Sequence, residues 1–306
     1  MELTDPQRRT LEQLIGTGER PVFPSDLAQR LRDRIEEAAR GLDLSGSLWL
    51  GKERLHDHGR CEGLLQSHLL GEAPPFEHSP VSAGGVLAHK VVEVDMASRD
   101  LLDPQSAAGV AATRLADRED RFREHWTGLS AHEQDEVLME AARRVTLLRG
   151  SFPPIRELRR MLAPVSELRA RVELLGGDIV LSGQIDLVLG LADPMEPSRG
   201  TRLTIDFKTG AARPEHVEDN RFYALLLTLR FGVPPYRVAS FFLESGTWQA
   251  EDVSEQTLMH AADRVVAAAR SAAALLNGRE AGLTPGPWCG WCPRAATCPL
   301  ADPIPA

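Results

Sequence analysis

The spacing of hydrophobic positions divides the chain into a helical first half and a second half in which strands alternate with helices. Residues 1–60 are predicted to be helical. Within them, apolar side chains recur at helical spacing after the capping sequence Pro24-Ser25-Asp26, at Leu27, Leu31, Ile35 and Ala39. This part of the chain therefore predicts an N-terminal helical region.

A segment rich in turn residues follows, from Gly59 to Gly85, and we expect it to form a loop that carries Cys61. Gly84-Gly85 is then expected to open a helix that ends near Met96 and bears His89 on an apolar face. Residues 106–149, rich in Ala, Arg and Glu, are predicted to continue as helices, and Ser130 with Glu133 has the spacing of a capping box.

From residue 168 onward the hydrophobic period changes from that of a helix to that of a strand. Strands are predicted at 168–173, 179–189, 202–208 and 236–243, with Gly176-Gly177-Asp178 as a hairpin turn between the first two. Helices are predicted at 215–231 and 254–277, the second ended by Gly278. The pattern predicts an α/β protein, α+β-like in that an N-terminal helical region precedes the strands.

Composition narrows the class of protein. The chain has 306 residues, of which 42% are hydrophobic and 26% charged, which is the balance of a soluble globular protein. No apolar stretch approaches the ~20 residues that span a bilayer. The acidic start Met1–Asp5 does not resemble a secretory signal, so we expect a cytoplasmic protein. A net charge of −9 argues against nonspecific coating of nucleic acid, but it permits a local basic groove beside an acidic metal site.

The four cysteines form a second pattern. Cys61 stands alone, whereas Cys289, Cys292 and Cys298 close the chain as C-x2-C-x5-C in a stretch rich in Pro and Gly. One distant thiolate with a short run of three is typical of an iron–sulfur site, and Pro299 directly after Cys298 recurs in such runs. Zinc and unrelated cysteines remain as alternatives. A reducing compartment disfavours disulfides.

Carboxylates and a lysine lie on two of the predicted strands. Asp186 ends the sequence Gly183-Gln184-Ile185-Asp186, and Asp206 and Lys208 stand two apart on the next strand. Residues two apart in a strand face the same side, so Asp206 and Lys208 are expected to project together while Ile205 and Phe207 enter the core. Two carboxylates and an ammonium suit a divalent cation and a positioned water, although an exposed Asp-x-Lys is more often a weak ion pair.

Five motifs in order make the chain resemble the PD-(D/E)XK nuclease superfamily. The similarity is to the RecB/AddB-like branch that carries an iron–sulfur cluster, to which CRISPR-associated RecB-like exonucleases also belong. The motifs, which cover about residues 60–300, are Gly85-x3-His89, Gly183-x-Ile185-Asp186, Asp206-x-Lys208, Tyr223 of a Gln-x3-Tyr helix, and the four cysteines. Asp219 stands where the family has Gln.

The resemblance implies a restriction-endonuclease-like fold, with a central mixed sheet flanked by helices and a C-terminal cysteine loop. It also implies a nuclease domain at 61–306 after an N-terminal helical region at 1–60. His89, Asp186, Asp206 and the backbone carbonyl of Phe207 would bind Mg²⁺ or Mn²⁺, and Lys208 would orient the attacking water.

The four cysteines would bind a structural [4Fe-4S] cluster. The expected function is metal-dependent DNA cleavage, as an exonuclease, in repair, recombination or defence.

Nucleic-acid contact is expected from the helix at 215–231. Tyr223 could stack on a base or belong to the core, and Asn220 and Arg221 are candidates for phosphate contact. The basic run Arg156, Arg159 and Arg160 is a further candidate, although such runs are usually solvated helix faces.

Two alternatives from other classes are kept: a non-catalytic nuclease-like subunit that binds DNA or a helicase, and an electron-transfer protein. A separate helicase and CRISPR or defence proteins are the candidate partners. The sequence has no P-loop, so it is not expected to be the motor itself.

Overall fold

The computed structural model describes residues 3–16, 18–98, 100–155 and 162–301. Arg156, Arg159 and Arg160 lie outside the described residues. Helices within these ranges are α1 (Asp5–Ile15), α2 (Leu27–Ala39), α3 (Lys52–Arg60), α4 (Glu62–Leu69), α5 (Pro80–Ala97), α6 (Pro104–Arg118), α7 (Asp120–Gly128), α8 (Ala131–Ser151), α9 (Pro214–Phe231) and α10 (Glu255–Leu276). Strands are β1 (Leu48–Leu50), β2 (Val165–Leu174), β3 (Ile179–Leu189), β4 (Leu203–Lys208), β5 (Arg237–Phe242) and β6 (Thr247–Asp252).

The strands form one mixed sheet in the order β1-β3-β4-β5-β6, and β2 pairs with the other edge of β3. β3 is antiparallel to β2 and β4 but parallel to β1, and β4 is parallel to β5. β1 and β4 share one edge of β3, β1 at residues 179–181 and β4 at residues 187–189. The predicted fold class, a central mixed sheet flanked by helices, is confirmed.

Two hydrophobic cores hold helices against the sheet. The first joins α2, α9 and α10 to strands β1 to β3 around residues such as Leu31, Leu181 and Leu225. The second joins α1, α5 and α8 to β3, β4 and β5 around residues such as Leu187 and Phe241. A third cluster packs α5, α6, α7 and α8 on one another. Each fully buried Leu or Phe contributes about 1.5–3 kcal/mol, so the sheet that bears the site is held from both sides.

Two strands were missed by the sequence analysis, and the prediction of helix throughout 1–60 is wrong at Leu48–Leu50. That strand has only three residues, too few for a period to be detected. Thr247–Asp252 was missed because it is an edge strand with mostly exposed, polar residues. β1 belongs to the same sheet as the later strands, and α2 belongs to the first core. The division into an N-terminal region at 1–60 and a nuclease domain at 61–306 therefore stays a prediction.

The predicted loop from Gly59 to Gly85 is also wrong in part, because α3 and α4 meet at Cys61. Helix α5 begins at Pro80, after a capping box made by Ser79 and Ser82, so the two glycines lie inside it. Gly85 has a packing reason to be there: a Cβ at this position would lie 3.3 Å from the Thr209 hydroxyl. The glycine therefore lets α5 approach the end of β4 closely. None of the described helices is long and apolar enough to cross a membrane.

Candidate active site

Asp186 lies where β3 and β4 separate. The last pairs of the β3–β4 ladder join residues 187–189 to residues 203–205. Beyond them, the backbone N–H of Phe207 donates a hydrogen bond of 2.6 Å to Oδ2 of Asp186. The Asp186 carboxylate therefore accepts the hydrogen bond that a backbone carbonyl of β3 would accept if the strands stayed paired. As a result, a carboxylate lies in the opening between the two strands.

Asp206 and Lys208 project together, as the two-residue period of a strand predicts. Nζ of Lys208 lies 2.5 Å from Oδ2 of Asp206, while Ile205 and Phe207 belong to the second core. Asp206 is 3% exposed. Its Oδ2 accepts no well-directed hydrogen bond from the described residues, so its close contact with the Lys208 ammonium is an ion pair without hydrogen-bond geometry.

His89 reaches Asp186 from α5. Its Nδ1 lies 3.3 Å from Oδ1 of Asp186, and its ring meets the Phe207 ring edge-on. Glu167 completes a group of three, because one ligand atom from each of His89, Glu167 and Asp186 lies within 4.8 Å of the others. The sequence analysis missed Glu167. The hairpin register could have found it, since the β2–β3 pairs on either side place it opposite Asp186.

The charges of these groups shift one another's pKa. Burial alone would lower the pKa of His89, but the Asp186 carboxylate raises it to about 9. Burial and the neighbouring Asp186 charge raise the pKa of Asp206 above its usual range. For Asp186, the His89 charge and the Phe207 hydrogen bond outweigh burial and lower the pKa. Crowded buried carboxylates of this kind favour the binding of a cation.

Asp219 holds the far side of Lys208. Its Oδ2 lies 2.7 Å from Nζ of Lys208, and its Oδ1 lies 2.8 Å from Nε2 of His56 on α3. Burial raises the pKa of Asp219, but the close His56 ring and the Lys208 ammonium lower it well below its usual range. The sequence analysis did not single out His56, which is part of this site because α3 packs beside α9.

Lys52, at the first turn of α3, is a second lysine of the site, and the sequence analysis did not single it out. Burial lowers its pKa, but the charges of Asp206, Asp219 and other carboxylates raise it above the usual value. Its Nζ lies 5.4 Å from the centre of the Tyr223 ring. No motif surrounds Lys52 in the sequence, so only the fold brings it to the carboxylates.

A cleft of about 1750 Å³ opens in front of Asp186 and His89. The basic side chains that line it are Lys52, Arg54, Lys90, Arg118, Arg169 and Arg171, and the glutamates are Glu53, Glu93, Glu119 and Glu167. The chain is acidic as a whole, so the basic side chains in this cleft are a local feature that suits a polyanion.

The three residues of α9 that were predicted to contact nucleic acid point in different directions from the helix. Tyr223 is 1% exposed and lies against Gly183 of β3, at the back of the cleft. Asn220 instead donates a hydrogen bond of 2.9 Å to Ser240, and Arg221 forms ion pairs with Glu218 and Glu251. Neither Asn220 nor Arg221 is among the described residues that line the cleft. Their phosphate contacts stay predictions without geometric support.

The four cysteines line one cavity of about 170 Å³, between the start of α4 and the C-terminal loop. All four are free thiols. Backbone N–H groups point at two of the sulfurs, from Thr284 to Cys61 and from Gly286 to Cys289, each at 3.5 Å. Burial and the neighbouring thiols raise the pKa of Cys292. The chain therefore brings its two distant cysteine segments together, as their spacing predicted.

The same loop is fixed to α4 by ion pairs. Glu62, next to Cys61, pairs with Arg279 at 2.6 Å and accepts from the backbone N–H of Gly282. Arg294 pairs with Glu72 at 2.6 Å. Side-chain hydrogen bonding to Arg279 lowers the pKa of Glu62 to about 2, against the effect of its partial burial. The cysteine cavity is thus held together by contacts that do not involve sulfur.

Comparison with known proteins assigns the family. The model of the PD-(D/E)XK nuclease superfamily matches residues 59–299. Among solved structures, a candidate exonuclease from Eubacterium rectale is similar at 13% identity and a TM-score of 0.49, over 84% of this chain and 91% of that one. The protein SSO0001 is similar at 12% identity and a TM-score of 0.36, over 90% of this chain and 96% of that one.

None of the curated proteins compared matches the sequence. The family model spans most of the chain, including the three strands and the helix that carry the acidic cluster. The chain belongs to the PD-(D/E)XK nuclease superfamily.

Proposed function

We propose that this protein is a metal-dependent DNA nuclease that acts as an exonuclease and carries a structural [4Fe-4S] cluster, as in the RecB/AddB-like branch of the superfamily. One observation carries the proposal: Asp186, Asp206, Lys208 and His89 come from three different elements and lie close together, and Asp186 and His89 line a cleft that also contains basic side chains. A simple surface ion pair does not bring four such groups together in a partly buried position.

The donor set fits Mg²⁺ or Mn²⁺. Carboxylate oxygens of Asp186 and Asp206, the Phe207 carbonyl and the His89 imidazole are hard or borderline ligands of the kind these ions take, and Mn²⁺ suits the imidazole better. Glu167 is a further candidate, because its carboxylate is within the same 4.8 Å group as Asp186 and His89. A bound divalent ion would polarise a phosphoryl oxygen and lower the pKa of a water.

Lys208 is assigned the positioning of the attacking water. Its ammonium lies 2.5 Å from Asp206 and 2.7 Å from Asp219, so carboxylates on β4 and α9 fix its position. A fixed donor of this kind stabilises the charge that develops on the phosphate without reorganisation. Lys52, facing the same carboxylates from α3, is a candidate for a second contact to the phosphate.

The cysteine cavity fits a cluster. Its donor set is four thiols, and N–H groups already point at the sulfurs of Cys61 and Cys289, as they do around protein iron–sulfur clusters. Cys61 and Cys298 are far apart in sequence, so a bound cluster would close a long loop, and its binding energy would contribute to folding. We assign the cluster a structural role on these grounds.

We further propose a cytoplasmic location, because four free half-buried thiols suit a reducing compartment. A role in repair, recombination or defence beside a separate helicase or CRISPR proteins follows from the branch alone. Digestion of DNA labelled at either end, single- and double-stranded, tests the proposed activity. Shortening from an end with Mg²⁺ or Mn²⁺, abolished by EDTA, is the expected result. No cleavage of either form with either metal would overturn it.

A further inference from the structure

The floor of the cleft is the exposed face of β1, β2 and the first half of β3. Ser182, Gly183 and Gln184 line the cleft, whereas Leu181 and Ile185 on either side of this run belong to the first core. On β2, Arg169, Ala170 and Arg171 line the cleft, although Ala170 itself is 3% exposed. The pairs Arg169↔Gln184 and Arg171↔Ser182 are in register. The strand pairing therefore places basic and polar side chains next to each other on the two strands that lead to Asp186.

Trp49 stands at the far end of this floor. It pairs with Val180 and is 48% exposed, although Leu48 and Leu50 on either side of it are 4% and 0% exposed. The guanidinium of Arg171 lies 4.6 Å from the centre of its ring. A single exposed aromatic residue is ordinary. This one lies in the same cleft as the acidic cluster and has a cation over its face, which is the pairing of groups that binds a nucleotide.

Arg171 is free to change its partner. Its other contact is an ion pair with Glu173 at 2.7 Å, in which both side chains are more than half exposed. Exposed pairs of this kind are screened by water and contribute little, so a phosphate could displace Glu173 at low cost. Because the chain carries a net charge of −9, nucleic acid must be held by local cations such as this one.

The position of Trp49 sets its distance from the chemistry. Asp186 lies six positions after Val180 on the strand, which at about 3.3 Å per residue is roughly 20 Å. A stacked strand with a rise of ~3.4 Å per nucleotide would cover this distance in about six nucleotides, and a stretched strand in fewer. A base can stack on the indole only if the face of the base is not already covered by a neighbouring base, as in a flexible single strand.

We propose that Trp49 and Arg171 form a remote nucleotide subsite, in which one base of a single-stranded DNA segment stacks on the Trp49 indole and Arg171 contacts an adjacent phosphate. This subsite rests on the proposed nuclease function and names how its substrate is held away from the cleaved bond. Because Trp49 is fixed relative to Asp186, loss of a base should weaken DNA binding at one particular position of the strand.

An abasic scan tests the subsite. Binding of fluorescent single-stranded 12-mers, each lacking one base at a successive position, is measured by anisotropy in EDTA. Wild type is expected to lose about tenfold in affinity at one position within the first six nucleotides from the bound end. Trp49→Ala should lose about tenfold on the intact 12-mer and be insensitive to the abasic site at that position. Trp49→Phe should keep the wild-type profile.

A matched control is available at Phe231, which is 43% exposed, has the Arg202 guanidinium 4.8 Å from its ring centre and is not among the described residues lining the cleft. Phe231→Ala should bind every 12-mer as wild type does. Arg171→Ala should reduce the slope of log affinity against log salt by about 0.7 for one single-strand phosphate contact. Arg202→Ala should leave that slope unchanged.

Trp49→Ala with the affinity and abasic profile of wild type would overturn the subsite. If wild type also degrades end-labelled DNA in that case, the proposed function stands and only the subsite falls. If wild type neither binds the 12-mers nor cleaves DNA, the proposed function falls together with the subsite.

Discussion

The Lys208 ammonium lies 2.7 Å from Oδ2 of Asp219, the residue at the Gln position of the Gln-x3-Tyr motif that the sequence resembles. Asp219 is 3% exposed and also lies 2.8 Å from Nε2 of His56. The lysine is therefore fixed by a buried charge and not by a neutral amide. A buried carboxylate remains charged only while its cationic partners remain in place, which joins α3, α9 and β4 into one unit.

Replacement of Asp219 by Ala should destabilise the protein by about 3–5 kcal/mol, because it leaves the charges on the other side of a buried pair without compensation. Asp219→Gln should cost less, since an amide oxygen still accepts from Lys208. Urea unfolding measures both. The control is Glu215→Gln on the same helix, whose pair with Arg60 is partly exposed and should change stability by less than about 1 kcal/mol. Equal stability of Asp219→Ala and Glu215→Gln would contradict the assignment.

Glu167→Gln should weaken Mn²⁺ binding about tenfold or more, because one of the three ligand atoms gathered within 4.8 Å loses its charge. Titration calorimetry with Mn²⁺ measures this directly. Glu173→Gln on the same strand is the control, since Glu173 is exposed and pairs with Arg171. An unchanged Mn²⁺ affinity in Glu167→Gln, with a loss in His89→Ala, would remove Glu167 from the site and keep His89.

The sequence predicted the parts of the site that lie on long, regular elements. The two-residue period placed Asp206 beside Lys208, and the Gly85-x3-His89 spacing placed His89 on α5. Lys52 and His56 were missed because no local pattern marks them, and they become part of the site through packing between elements far apart in sequence. Glu167 was missed because its strand was predicted to begin at residue 168, although the hairpin register places it opposite Asp186.

Helical geometry could have corrected one prediction. Asp219 and Tyr223 are four residues apart and share a face of α9, whereas Arg221 points the other way, toward Glu251. Its proximity in sequence to Tyr223 therefore does not place it at the cleft, and its phosphate contact stays a prediction. The short strand β1 carries too few residues for any period to be seen.

Protein purified without oxygen should be brown and contain about four iron atoms per chain, because four thiols from both ends of the fold line one cavity. Cys298→Ala should lose iron and lower the melting temperature, since cluster binding contributes to folding. Thr297→Ala in the same loop is the control. Metal analysis and calorimetry decide the matter. A colourless protein with one zinc and no iron, or an unchanged melting temperature in Cys298→Ala, would contradict a structural cluster.

The stability of the protein should fall on acidification because of His216. Burial and the Lys208 charge lower the pKa of this imidazole to about 4, from a usual value of about 6.5. Between these values the unfolded chain binds a proton that the folded chain does not, so the free energy of unfolding falls as the pH drops from about 6.5 to about 4 and is unaffected above 6.5.

His216→Gln isolates this effect, since Gln at the same position of α9 can still accept from the backbone N–H of Arg213, as His216 does at 3.2 Å. Urea unfolding at pH 7, 5.5 and 4.5 should show a smaller loss of stability in the variant than in wild type. Identical pH dependence in the two proteins would show that His216 titrates normally.

The most direct test of a metal-dependent nuclease centred on Asp206 and Lys208 is cleavage of end-labelled DNA with Mg²⁺ or Mn²⁺ by wild type, Asp206→Asn and Lys208→Met. We expect wild type to cleave, and each variant to be folded but slower by about 10²–10³-fold, as when a group that stabilises the transition state is removed. Asp206→Asn should also lose Mn²⁺ affinity, whereas Lys208→Met should keep it. Cleavage at the wild-type rate by either folded variant would contradict the account.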